Sequence, residues 1–121
     1  MGIIGNFMLG RHLTQVASIF EEVVSSGELP ADEDLNAENI FASLSLTRQA
    51  QVRYRMPRHL NAFRKFSPLV ITQELIKNLS IANQSRRTRR VFAYQLALWY
   101  LVKEGVAIDL ERFEALHGFR S

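Results

Sequence analysis

The sequence predicts a small, mostly α-helical fold: a single-domain bundle of about five helices over residues 1–121, with residues 1–9 as an apolar amino-terminal strap. Three observations lead there. A chain of 121 residues, 47% apolar and 22% charged, has the size and make-up of one globular domain that buries a core. Apolar side chains recur at intervals of three and four over most of its length. Glycines, prolines and small polar residues stand where such segments would begin and end.

Each element follows from its own stretch. In "LGRHLTQVASIFEEVVSS", Leu9, Leu13, Val16, Ile19, Phe20 and Val23 keep helical spacing, and Gly27 is placed to end that helix. "GELPADEDLN" reads as a solvated acidic loop. Its carboxylates, Asp32, Glu33 and Asp34 among them, lack the ligand spacing and central glycine of a calcium loop. The next stretch carries two signals. Ala42, Leu44 and Leu46, then Val52, Tyr54 and Met56, alternate with polar residues as strands do, so the alternative is an α+β fold with a short hairpin in 41–56. Thr47 to Ala50 offers no turn residues, however, and Asn36 is a suitable cap, so helix is the preferred reading. Met56 precedes Pro57, which sets a boundary.

Pro57 suits the first turn of a short helix, "PRHLNAFRKF", with Leu60, Phe63 and Phe66 inward. Pro68 closes it, and "LVITQELIKNLSIA" then gives a helix with Leu69, Ile76 and Leu79 towards the core. A further helix runs from near Ser85 to Lys103 and stops at Gly105, and Asp109 caps a last one that Gly118 ends.

Net charge is +3, but it is unevenly spread. Residues 1–47 carry one arginine against seven acids, residues 48–103 carry twelve bases against Glu74 alone, and residues 104–121 carry two arginines against four acids. Twelve of the fifteen bases are arginine, whose planar donor fork matches phosphate or carboxylate oxygens. On a continuous helix from Ser85, Arg86, Arg87, Arg89 and Arg90 share one face at about 100° per residue. Ala93, Tyr94, Ala97 and Tyr100 continue that face, leaving Phe92, Leu98, Trp99 and Val102 as the core stripe. Four arginines at a helix amino terminus are mutually unfavourable unless an anion arrives, or unless they pair with the acidic loop at Asp32, Glu33 and Asp34.

A second basic strip, Arg48, Arg53, Arg55, Arg58, Arg64 and Lys65, is interleaved with Tyr54, His59 and Phe66. Guanidinium groups neutralise phosphates and aromatic rings stack on exposed bases, so the two strips define a candidate nucleic-acid surface. Helix-turn-helix patterning is poor, because Arg53, Arg86 and Arg89 occupy positions such a motif keeps small or apolar.

Chemistry of other kinds has little footing. No catalytic residue is assigned: there is no cysteine, no nucleophile elbow and no defended carboxylate pair, and Glu21 and Glu22 read as a solvated helix face. His12, His59 and His117 lie on separate segments without ligand spacing, so neither metal nor cofactor is expected. The apolar amino terminus is too short to span a bilayer, and Asn6 stands where a myristoylation signal wants Ser or Thr. The expected protein is therefore a non-enzymatic accessory protein of a reducing, cytoplasmic compartment. It grips a nucleic-acid backbone non-specifically, as a small subunit of a larger nucleoprotein assembly. The alternative is a small regulatory protein that docks on an acidic protein surface, with Ile3, Ile4, Phe7 and Met8 as an apolar anchor. Self-association through the opposed acidic and basic regions is a third reading.

Overall fold

Helices alone make up the regular structure of the described chain: α1 (Ile3–Ser25), α2 (Ala37–Ser43), α3 (Leu46–Arg55), α4 (Pro57–Phe63), α5 (Pro68–Gln84) and α6 (Thr88–Lys103). The computed structural model describes the backbone of residues 3–25, 37–109 and 111, and the side chains of 7–22, 38, 40–87, 89–109 and 111. The acidic loop with Asp32, Glu33 and Asp34, the capping roles given to Gly27, Asn36 and Gly118, and the last short helix lie outside the described residues, as do the side chains of Ile3, Ile4 and Val23.

Local chemistry explains the boundaries. The region 41–56 is helical, with no hairpin, but it is two helices rather than one. Ser45 breaks it, its hydroxyl accepting from the Arg48 backbone N–H at 3.2 Å as the N-cap of α3. Gln49 Nε2 donates to the Leu44 carbonyl at 2.9 Å across the break. Ser67 caps α5 in the same way, with Pro68 in the first turn. Met56 keeps helical angles (φ −82, ψ −32) although Pro57 follows it. It therefore ends α3 and begins α4 at once, as a fully buried hinge between them.

The α5–α6 connection corrects the expected helix start. α6 begins at Thr88, not near Ser85, because α5 closes in a left-handed turn at Arg86 (φ 55). Arg86 N–H donates to Asn83 O at 3.1 Å and Arg87 N–H to Ala82 O at 3.0 Å, the paired bonds of a Schellman cap. α6 ends identically, with Gly105 at φ 84, Gly105 N–H to Val102 O and Val106 N–H to Leu101 O.

α1 and α6 form the largest interface, and α5, α4, α3 and α2 gather around them. Leu9, Leu13, Val16, Ile19 and Phe20 are buried at the spacing read from the sequence. The stripe assigned to α6 holds only in part, at Leu98, which is buried, and at Trp99, which is half-buried against the core. Ala93, Tyr94, Ala97 and Tyr100 are buried, along with Leu96, Leu98 and Leu101, while Val102 is 39% exposed. α6 packs on α1, α5 and α2 at once, so it is apolar nearly all round and has no single wet face. In α5, Ile71 and Leu75 join Leu79 in the core and Leu69 is exposed. Within the stretch read as an apolar strap the backbone is helical from Ile3, continuous with α1, and Phe7 and Met8 are exposed.

Candidate functional site

The solvent-facing side of α1 is where both basic strips arrive. At about 100° per residue, Thr14 and Glu21 lie to one side of Ser18. Gln15, Ile19 and Glu22 lie to the other, and Arg11 is in line with Ser18. α6 approaches the first flank and α3–α4 the second.

On the α6 flank, Arg90 is bound into the fold. Only 9% exposed, it donates from Nη1 to Glu21 Oε2 at 2.8 Å and Ser18 Oγ at 3.0 Å, and from Nη2 to the Thr14 carbonyl at 3.1 Å. Its guanidinium carbon stands 5.2 Å from the centre of the Tyr94 ring, a cation–π contact. Arg87 reaches Glu21 more loosely, at 4.0 Å. The expected four-arginine face therefore does not form. Arg86 and Arg87 sit in the turn, Arg89 is exposed, Arg90 is buried, and Tyr94, 4% exposed, cannot meet an external ligand. Among the described residues, the acid that answers Arg87 and Arg90 is Glu21, which is thus not merely part of a solvated face.

On the other flank an open groove of ≈ 460 Å³ runs between α1 and α3–α4, lined by Gln15, Ser18, Ile19, Tyr54, Arg55, Arg58 and His59. Tyr54 is 88% exposed beside it. Arg55 pairs with Glu22 at 3.1 Å, but both side chains are well exposed, and such a pair contributes under about 1 kcal/mol. Arg55 can therefore turn to a ligand. Arg58 and Lys65 are exposed and form no ion pair among the described residues. Arg53 and Arg64 are partly committed. The first lies over the Phe41 ring at 5.7 Å, and the second donates to the Glu104 carbonyl at 3.1 Å. Ser18 lines the groove and also accepts from Arg90, so the buried Arg90 and the groove meet on opposite flanks of α1.

Residues that sequence reasoning treated as scattered meet here. His12 of α1 and His59 of α4 are hydrogen-bonded Nδ1 to Nδ1 at 2.9 Å, with their rings edge-on. His59 is 2% exposed. Burial, then His12, Arg58 and Arg55, push its pKa down to about 4. Burial, then Arg58, Arg11 and Lys65, lower that of His12. Helical spacing held a signal for this: His12 falls in register with Val16 and Ile19, and His59 with Met56 and Phe63, all core positions. Among the described residues, no group of three or more His, Cys, Asp or Glu side chains is placed to hold a metal ion.

A second groove, between α1 and α5, is lined by Phe7, Gly10, Arg11, Thr14, Glu74, Lys77 and Asn78. Among the described residues no helix is long and apolar enough to cross a membrane. Comparison with known protein families, with curated proteins and with solved structures gives no match to this chain.

Proposed function

We propose that this protein is a non-enzymatic accessory protein that binds a nucleic-acid backbone without sequence preference, as a small subunit of a larger nucleoprotein assembly. The observation that carries the reading is the groove between α1 and α3–α4, where Arg55 and Arg58 flank an aromatic ring, Tyr54, that the fold leaves 88% exposed. A large exposed ring beside guanidinium groups suits a single strand, whose phosphates meet the arginines while a base stacks on the ring. Lys65, just past the end of α4, extends the surface. Arg87 brings positive charge to the other side of α1, and Arg86 and Arg89, its exposed neighbours in sequence, add to the surface in this reading. Arg90 and Tyr94 belong to the core and are not part of this surface.

Anisotropy of a labelled single-stranded oligonucleotide across a salt series tests the reading. About micromolar affinity at low salt is expected, weakening steeply as salt rises. Changing Arg55 and Arg58 to Gln should reduce the logarithmic salt slope by roughly 0.7 for each phosphate that is no longer neutralised. No binding at low salt overturns the proposal.

A second reading has its own observation. Phe7 and Met8 are 66% and 44% exposed, beside the α1–α5 groove with its Arg11 and Lys77. An apolar anchor next to bases suits an acidic protein partner. Loss of a partner from pull-downs with Phe7→Ala and Met8→Ala, with oligonucleotide binding absent, would favour it.

A further inference from the structure

Neutralising phosphates needs only the arginines, yet the α1/α3–α4 groove also contains a buried imidazole. His59 lines it, and among the described residues the one hydrogen bond its ring makes runs from Nδ1 to Nδ1 of His12, at 2.9 Å. The ring nitrogen left for the groove is therefore Nε2. Building on the nucleic-acid reading above, we infer that the groove is a phosphodiester subsite in which His59 donates from Nε2–H. His12 holds that hydrogen in place, so that seating a phosphate takes up one proton on the histidine pair.

Tautomers decide what the groove meets. In an Nδ1–H···Nδ1 bond one ring donates and the other accepts. If His12 donates, His59 must carry its own hydrogen on Nε2 and is a donor to the groove. If His59 donates, its Nε2 presents a lone pair, which repels a phosphate oxygen. One added proton decides between them. Placed on His12 Nε2, it makes His12 a donor at both nitrogens, preserves the bond between the rings and fixes His59 as the Nε2–H form. A second proton is shut out, because two N–H groups would then face each other across 2.9 Å. His12 is the ring that accepts the proton, being half-exposed where His59 is buried.

The surroundings supply the coupling. Arg11 from α1, Arg55 from α3, Arg58 from α4 and Lys65 beyond it all act on the pair as positive charges. Glu22 is engaged with Arg55, and Glu74 of α5 stands beside Gly10 on the other flank of α1. Unopposed, this field holds the proton off. A phosphate between Arg55 and Arg58 cancels much of it, and the pair then takes up a proton from solvent.

Rhodamine-labelled oligo-dT of about 12 nucleotides, titrated at constant ionic strength between about pH 5.5 and pH 8, is the test. Neither thymine nor a phosphodiester changes protonation in that window, so any slope belongs to the protein. Affinity should rise several-fold for each unit the pH falls, with about tenfold as the ceiling for one proton. In His12→Asn the amide donates to His59 Nδ1 and cannot titrate. Its binding should be flat with pH and, at the alkaline end, several-fold tighter than that of the unaltered protein. Should that variant not fold, proton NMR of the unaltered protein replaces it, and the His12 titration should move to higher pH when oligo-dT is added. Binding that is flat with pH in the unaltered protein overturns the subsite and leaves the nucleic-acid reading standing. So does a slope that survives in His12→Asn, or an unmoved His12 titration. No binding at any pH overturns both.

Discussion

Arg90 is the third residue of α6 and Arg58 the second of α4, and both helices pack against the same stretch of α1. One guanidinium is buried with three oxygen partners; the other is exposed at the edge of a groove. The helical rows explain why. Arg90 leads the row of Ala93, Tyr94 and Ala97, all buried, so its side chain enters the fold and must find acceptors there. Arg58 leads a row of Ala62 and Lys65 that faces outward, while Met56, His59 and Phe63 take the inner side of that segment. Equal charge density in the sequence therefore marks a structural cation in one region and an available one in the other.

The sharpest way to break that comparison is to remove each arginine in turn. Arg90→Ala strands Glu21 beside a vacated buried site and should cost about 3 kcal/mol of stability, read from urea unfolding. Arg58→Gln should stay within about 0.5 kcal/mol, as exposed substitutions do. Equal losses would mean that the two regions are not different in kind.

Next in size is the effect of acid on the His12–His59 pair. His59 is held at a pKa of about 4 in the fold and would titrate near 6.5 when unfolded. Between those values the unfolded chain binds more protons, so stability is intact above about pH 6.5 and falls as the pH drops towards 4, by at most about 3 kcal/mol. Urea midpoints measured across that range should show the decline, and His59→Gln should flatten it. A decline unchanged by that substitution would assign acid sensitivity elsewhere.

The smallest expected effects concern the two matching helix ends. Gly105→Ala should destabilise by about 1 kcal/mol, because the left-handed turn at φ 84 suits glycine. Arg86→Gly, at φ 55, should stabilise by up to about 1 kcal/mol, seen as a small rise in Tm. If Arg86 belongs to the phosphate-binding surface, that gain comes with weaker oligonucleotide binding. Unchanged binding would remove Arg86 from it.

Much of the fold was legible where short-range chemistry governs it. Leu9, Leu13, Val16 and Phe20 kept a clear period, Pro57 opened its helix, and Gly105 marked the end of α6, whereas Pro68, read as closing one helix, sits in the first turn of the next. The start of α6 was not legible, since a left-handed Arg86 looks like any other helix-forming arginine in sequence. That one turn removed Arg86 and Arg87 from the helical face on which the four-arginine site depended. Tyr94 and Tyr100 were misplaced for a different reason: a helix surrounded on several sides is apolar all round, and periodicity cannot then say which face is wet.

By itself, then, the sequence determined the helical class, most of the boundaries and the concentration of arginine in the middle of the chain, because propensity, capping and composition act over a few residues. Only the tertiary structure decided which arginines are available, that Glu21 and Glu22 answer both strips, and that His12 and His59, 47 residues apart, share a hydrogen bond. Those outcomes depend on how α4 and α6 pack against α1, and such packing is set by the shapes of surfaces that are distant in sequence.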